Sequence, residues 1–186
     1  MNFLVFAASY RKESINRKLA SFAAGIAKGL AGVKVDFAEY TEFDMPAYDD
    51  ETYNEEALPA SVHDFVKRLK AADGLIIASP EYNWSFPGSL KNIIDWASAV
   101  TPNPFAGKTA LLLSASPSLR GGAQGLIHLK VPLQALGVFV FPRLFTLSRA
   151  DEAFGGESVL KDANLAAELL QIVTHFIQTT KALRTA

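Results

Sequence analysis

Three stretches of this sequence carry groups able to hold a charged or planar ligand. The first places Ser9, Arg11, Ser14 and Asn16 close together, supplying two hydroxyls, a guanidinium and an amide. Ser14 stands just before Ile15, Leu19, Phe22, Ile26 and Leu30, an apolar series at helical spacing, and so fits the N-cap of a helix. Free backbone N–H groups, the helix dipole, hydroxyls and a guanidinium together suit a phosphate or carboxylate. Taken alone, the same residues also read as a capped helix with a surface arginine. The second stretch is Ser79-Pro80-Glu81-Tyr82-Asn83-Trp84-Ser85-Phe86-Pro87-Gly88. Two prolines stiffen its backbone, which could lie flat against a ring system, and Tyr82, Trp84 and Phe86 add aromatic surface. Its plainer reading is an aromatic cluster covering the core. The third, Ser116 followed by Gly121 and Gly122, allows close backbone approach or an ordinary tight turn.

Other chemistries drop out. With no cysteine there is no thiolate nucleophile, disulfide or cysteine-ligated metal. His63, His128 and His175 sit singly in helical patterns, so no metal site is expected. Gly-x-Ser-x-Gly, the Gly-rich dinucleotide fingerprint and the lysine-ending nucleotide loop are absent. A phospho-receiver would need acidic residues where Ser9 and Ser79 stand. A formal charge of −1 lacks the basic surplus that nucleic acid demands, and it gives little support to an acidic docking face. With 49% hydrophobic and 20% charged residues, the composition is that of a globular protein with a substantial core. No window reaches membrane-spanning length and the first residues lack a basic n-region, so a cytoplasmic protein without membrane insertion is expected.

The elements that must position these groups alternate regularly. Continuous apolar runs at 3–7, 74–78 and 110–113 predict strands buried on both faces, whereas Val33, Val35 and Phe37 alternate with polar residues and predict an edge strand. A fifth strand is predicted at 138–141. Helical spacing marks residues 62–69, 90–97, 126–136 and 165–177, with Pro132 expected to kink the fourth of the five helices or shorten its start. The segments 40–59 and 148–162 read as polar loops. Five β-α repeats predict a doubly wound parallel sheet, order 2-1-3-4-5, with helices on both faces and one domain over residues 1–186. The loops after strands one and three then share the crevice where ligands bind such sheets.

Two motifs resemble those of the NADPH-dependent FMN reductase family, the flavodoxin-like group that includes chromate, azo-dye and quinone reductases. They are Ser9-x-Arg11-x-x-Ser14-x-Asn16 and Ser79-Pro80-Glu81-Tyr82-Asn83-x-Ser85-x-Pro87-Gly88-x-Leu90-Lys91-Asn92-x-x-Asp95-Trp96. Met45-Pro46-x-Tyr48-Asp49, Phe105-x-Gly107-Lys108 and Ser116 with Gly121-Gly122 are family-like as well. Ala8 departs from the family's usual glycine, and residues 117–120 vary across it.

The resemblance implies a bound FMN. Ser9, Arg11, Ser14, Ile15 and Asn16 would surround its phosphate, Pro80, Glu81, Tyr82 and Asn83 would run along the isoalloxazine, and Ser116 would close the other edge. It implies ping-pong transfer of hydride from NADPH or NADH through flavin N5 to a quinone, azo compound, metal oxyanion or flavin. No side chain is then an obligatory acid or base. Tyr48, Trp84 and Phe154 are expected in the outer substrate pocket, and a homodimer or homotetramer is expected. A one-electron flavodoxin-like carrier and a non-catalytic flavin-binding regulatory module are the other readings.

Overall fold

The computed structural model describes residues 1–156 and 159–185. Strands β1 (Asn2–Ala7), β2 (Lys34–Ala38), β3 (Gly74–Ala78), β4 (Thr109–Ala115) and β5 (Phe139–Val140) lie in the order β2-β1-β3-β4-β5, every neighbouring pair parallel. This is the predicted doubly wound order. Helices α1 (Ile15–Lys28), α2 (Ala60–Ala71), α3 (Gly88–Ser98), α4 (Ala123–Ala135) and α5 (Ala163–Thr185) make the connections and the final layer.

The burial of each strand follows from its place. β3 and β4 are buried at every position, because helices cover both faces of the sheet centre. β2 alternates exposed and sheltered residues, as an edge strand does. Successive side chains point to opposite faces, which divides the core in two. Phe3, Val5, Ile76 and Leu111 meet Leu19 and Ala23 of α1 and Leu169 and Phe176 of α5. Leu4, Phe6, Leu75, Ile77 and Leu112 meet α2, α3 and α4 through Phe65, Ile93 and Leu129. The first connection therefore crosses one face while the next three cross the other.

Two local expectations are corrected, and one of the two outcomes expected of Pro132 is excluded. The strand expected at 138–141 is only two residues long in the sheet, pairing with Thr109 and Ala110. Pro142, which has no N–H to give a ladder, breaks it. The chain then leaves the sheet and returns as β6 (Phe145–Leu147), which pairs parallel with the carboxyl half of β4 from Leu113 to Ala115. The expected loop at 148–162 holds a small antiparallel pair, β7 (Phe154–Gly155) and β8 (Val159–Leu160), too short to show a period. Pro132 does not shorten the start of α4, which begins at Ala123 and runs three residues past the proline. At that depth the missing N–H leaves the carbonyl of His128 without its usual helical donor.

The polar segment 40–59 is strapped to α3. It contains two 3-10 turns, Tyr40–Phe43 and Glu55–Ala57. The Asn92 amide accepts from the Tyr48 N–H at 2.7 Å and donates to the Pro46 carbonyl at 2.9 Å. The Trp96 indole N–H donates to the same carbonyl at 2.8 Å, and the Tyr53 hydroxyl donates to the Ala99 carbonyl at 3.0 Å.

Candidate active site

β1 and β3 are neighbours, yet the helices that follow them lie on opposite faces. Their loops must part at the carboxyl edge of the sheet, and a cleft opens there. It measures about 270 Å³ and is lined on the first loop by Ser9, Arg11, Ser14, Ile15 and Asn16. Pro80, Glu81 and Tyr82 of the second loop face them, and Ala115, Ser116, Pro117 and Asp151 complete the wall. A larger hollow of about 640 Å³ runs along α5 beside Arg143 and His175, but it is an outer groove away from the strand ends. Position, rather than size, selects the cleft.

At its first loop the cleft gathers donors. Ser14 caps α1 by accepting from the Arg17 N–H at 3.3 Å, and its own O–H is still available to donate. The N–H groups of Ile15 and Asn16, the first two residues of α1, have no partner among the described residues. Arg11 is exposed and its guanidinium pairs with no carboxylate among the described residues. The Asn16 side chain has a different task. Its amide donates to the Ala115 carbonyl and accepts from the Ala115 N–H, each at 2.9 Å and fully buried. That pair fixes the start of α1 to the end of β4 and leaves the backbone N–H as the group Asn16 can offer a ligand.

The second loop is a folded ribbon. The Tyr82 N–H donates to the Ser85 carbonyl at 2.8 Å, and the Ser85 N–H donates back at 3.0 Å. The two residues between, Asn83 and Trp84, both have positive φ (49° and 67°), the signature of a type I′ turn. Asparagine tolerates that region and tryptophan seldom occupies it, so the turn was not legible as Asn-Trp. It lifts Tyr82 and Trp84 outward, 51% and 56% exposed. The Arg120 guanidinium lies over the Trp84 ring at 4.3 Å.

Glu81 ties this ribbon to the third loop. Its carboxylate accepts from the Gly125 N–H at 2.9 Å, in the first turn of α4. The N-cap residue of that helix, Gly122, has no side chain to do so. Nor could it carry one: at φ 85° an added Cβ would sit 2.0 Å from Ser114 Oγ. A Cβ on Gly125 would meet the Ser85 carbonyl at 3.2 Å and Glu81 Cβ at 3.3 Å. Small residues at both positions thus let α4 close onto the ribbon, and Glu81 supplies the cap from outside. Ser116 turns its own loop, accepting from the Ser118 N–H at 3.2 Å and sharing a hydrogen bond with the Ser118 hydroxyl.

Of the residues read from the sequence, Asn83 forms the turn beside the cleft and lies outside its lining. Tyr48 packs edge-on against Trp96, 5.2 Å between centroids, and its hydroxyl donates to Asp50. Phe154 packs on the core face shared with α1 and α5. Neither lines the cleft. Sequence reasoning passed over Tyr10 and Tyr40, whose rings meet 4.7 Å apart beside the first loop. Burial pushes the Tyr40 phenol far above its usual range, and burial followed by the Asp44 charge raises Tyr10 as well. Both stay protonated at neutral pH.

Residues 1–152 match the model of the NADPH-dependent FMN reductase family. The chain belongs to that family. It is an oxidoreductase, with FMN as its cofactor and NAD(P)H as the donor. Among curated relatives, a quinone reductase of Escherichia coli is 39% identical over 132 residues, covering 71% of this chain and 69% of that one. An NAD(P)H-dependent FMN reductase of Pseudomonas aeruginosa is 36% identical over 165 residues, 88% of this chain and 85% of its own. The solved structure of the flavoenzyme NAD(P)H:(acceptor) oxidoreductase FerB from Paracoccus denitrificans superposes with a TM-score of 0.83 at 28% identity, covering 97% of both chains. Oxidised flavodoxin 1 from Bacillus cereus, at 14% identity and a TM-score of 0.62, shares the fold.

The residues present fit FMN on their own chemistry. A phosphate needs donors and positive charge, and the first loop offers hydroxyls together with N–H groups and a guanidinium that have no partner among the described residues. A flavin ring needs a flat wall with N–H groups at its edge. Pro80 stiffens the second loop, and the Glu81 and Asn83 N–H groups have no partner among the described residues.

Proposed function

We propose that this protein catalyses NAD(P)H-dependent reduction of quinones, with azo compounds, metal oxyanions and free flavin as further acceptors. Bound FMN would supply the redox chemistry, taking hydride from the nicotinamide and passing it to an acceptor that occupies the same place afterwards, a ping-pong cycle. The protein's part is positional. Ser9, Arg11, the Ser14 hydroxyl and the N–H groups of Ile15 and Asn16 hold the phosphate. The backbone of residues 80–83 orients the ring, Glu81 fixes that backbone by capping α4, and Ser116 bounds the other edge. No side chain is asked to act as acid or base.

The observation that carries this reading is the cleft itself. Nine of the ten residues nominated for the cofactor, all but Asn83, line one hollow at the switch point of the sheet. An assembly of two or four copies belongs to the same reading, supported by Ile127 and Val131, which lie one turn apart on α4 and are 46% and 68% exposed. Purification, a flavin absorbance spectrum and an anaerobic titration with NADPH and NADH test it. Rapid bleaching by either donor, followed by reoxidation on adding a quinone, is expected. Bound flavin that neither donor reduces would instead indicate a carrier or a flavin-binding regulator.

A further inference from the structure

The second and third loops are joined twice. Beneath, Glu81 holds the Gly125 N–H. At the rim, Arg120 lies over Trp84. The lower contact completes a helix cap, a job every helix start requires. The upper contact has no such structural need. The backbone of Trp84 is held at φ 67° by the hydrogen bonds between Tyr82 and Ser85, which places its exposed ring at the rim beneath Arg120. Arg120 forms no ion pair and donates no side-chain hydrogen bond among the described residues. Its planar fork is thus seated on an aromatic platform with its donors unused, the arrangement in which arginine meets phosphate.

We propose that Arg120, seated on Trp84, binds a phosphate of the nicotinamide dinucleotide donor. The proposal rests on the functional reading above. A nicotinamide ring delivering hydride has to enter the cleft, while its ribose and pyrophosphate trail outward, so their charge falls at the rim between these two loops. Arg11 lies on the first loop, among the groups assigned to the cofactor's phosphate. The two arginines then serve two different anions. A quinone carries no phosphate, and its use is independent of Arg120.

The test compares wild type, Arg120→Ala, Arg120→Lys and Trp84→Ala, each loaded with FMN and using one quinone. The donors are NADPH, NADH and 1-benzyl-1,4-dihydronicotinamide, which has the reacting ring and no phosphate. Arg120→Ala is expected to raise KM for the dinucleotides about tenfold or more. The kcat, the affinity for FMN and the kinetics with the benzyl donor stay at wild-type values. Arg120→Lys keeps part of the affinity, and Trp84→Ala loses part by unseating the guanidinium. Calorimetric binding of 1,4,5,6-tetrahydro-NADPH, which cannot reduce the flavin, weakens by the same factor in Arg120→Ala. Equal losses with both dinucleotides place the contact at the pyrophosphate, and a loss confined to NADPH places it at the 2′-phosphate. Either result supports the proposal. Unchanged dinucleotide KM, or an equal rise with the benzyl donor, overturns it and makes the stack a loop brace. Wild type that turns over no donor overturns the functional reading, and this one with it.

Discussion

Arg11 shows how much rests on a single side chain. It is exposed, unpaired among the described residues and next to the open end of α1, so a bound phosphate would be its natural partner. Arg11→Ala is expected to weaken FMN binding by about 1.5–3 kcal/mol, the scale of a hydrogen bond to a charged group. Titration of apoprotein with FMN, followed by quenching of flavin fluorescence, measures it; wild-type affinity in the variant would remove Arg11 from the site. Ser9, Arg11 and Ser14 could be nominated from sequence because a helix start is visible in the spacing of Ile15, Leu19 and Phe22. The partners of Asn16 and Glu81 could not. Asn16 reaches Ala115, 99 residues away, and Glu81 reaches Gly125, 44 residues away. Such pairings exist only once the sheet order brings the loops together.

At the scale of elements, the long motif 79–96 divides in two. Its first half builds the ribbon, and its second half holds the strap of residues 44–53 on α3. Lys91 and Asp95 pair along the helix at 2.6 Å, while Asn92 and Trp96 bind the strap's backbone. Asn92→Ala strips the Tyr48 N–H and the Pro46 carbonyl of a partner, and a loss of about 1–3 kcal/mol is expected. Limited proteolysis with mass spectrometry should then find the first cut within 44–53, and an uncut strap would contradict this account. A helical period locates α3 but says nothing of what its polar side grips. Pro132 taught the complementary lesson, since the rule about its missing N–H is sound but did not fix which part of α4 would bear it.

A second element-scale contact responds to pH. Arg17 of α1 makes a bidentate pair with Glu39, just past β2, with Nε to Oε2 at 2.9 Å. The hydrogen bonds from Arg17 hold the Glu39 carboxyl below its usual value of 4.5. A depressed folded value means the pair contributes its stability above the unfolded value and loses it as pH falls through the folded one. Both side chains are about half exposed, at 48% and 46%, so the contribution is small, about 0.2–1 kcal/mol. Thermal melts of wild type and Glu39→Gln should differ at neutral pH and converge as the pH falls through the lowered Glu39 value. A gap that persists below that value would mean the glutamine disturbs packing.

Over the whole molecule, stability should be graded outward from the sheet centre. β1, β3 and β4 are paired on both edges and buried under helices, whereas β2 and β5 each have one pairing neighbour. Amide exchange is expected to be slowest at 3–6, 75–77 and 110–113, and orders of magnitude faster in β2. Equal protection of edge and centre would contradict that gradient. The sheet order was legible because the buried strands are apolar throughout and the edge strand alternates. The last position was not, because no periodicity separates one four-residue strand from two short ones that take turns beside β4. That division has a practical consequence. β5 completes the foot of the sheet, while β6 carries the upper wall, where the Leu147 carbonyl accepts from the Ser116 N–H at 3.0 Å. Between them Pro142 and Arg143 are exposed and belong to neither ladder, the Arg143 guanidinium donating to Glu168 of α5 at 3.0 Å. The chain can therefore be opened or lengthened at that joint, as a graft point or a site for new termini, with the strand registers on both sides kept.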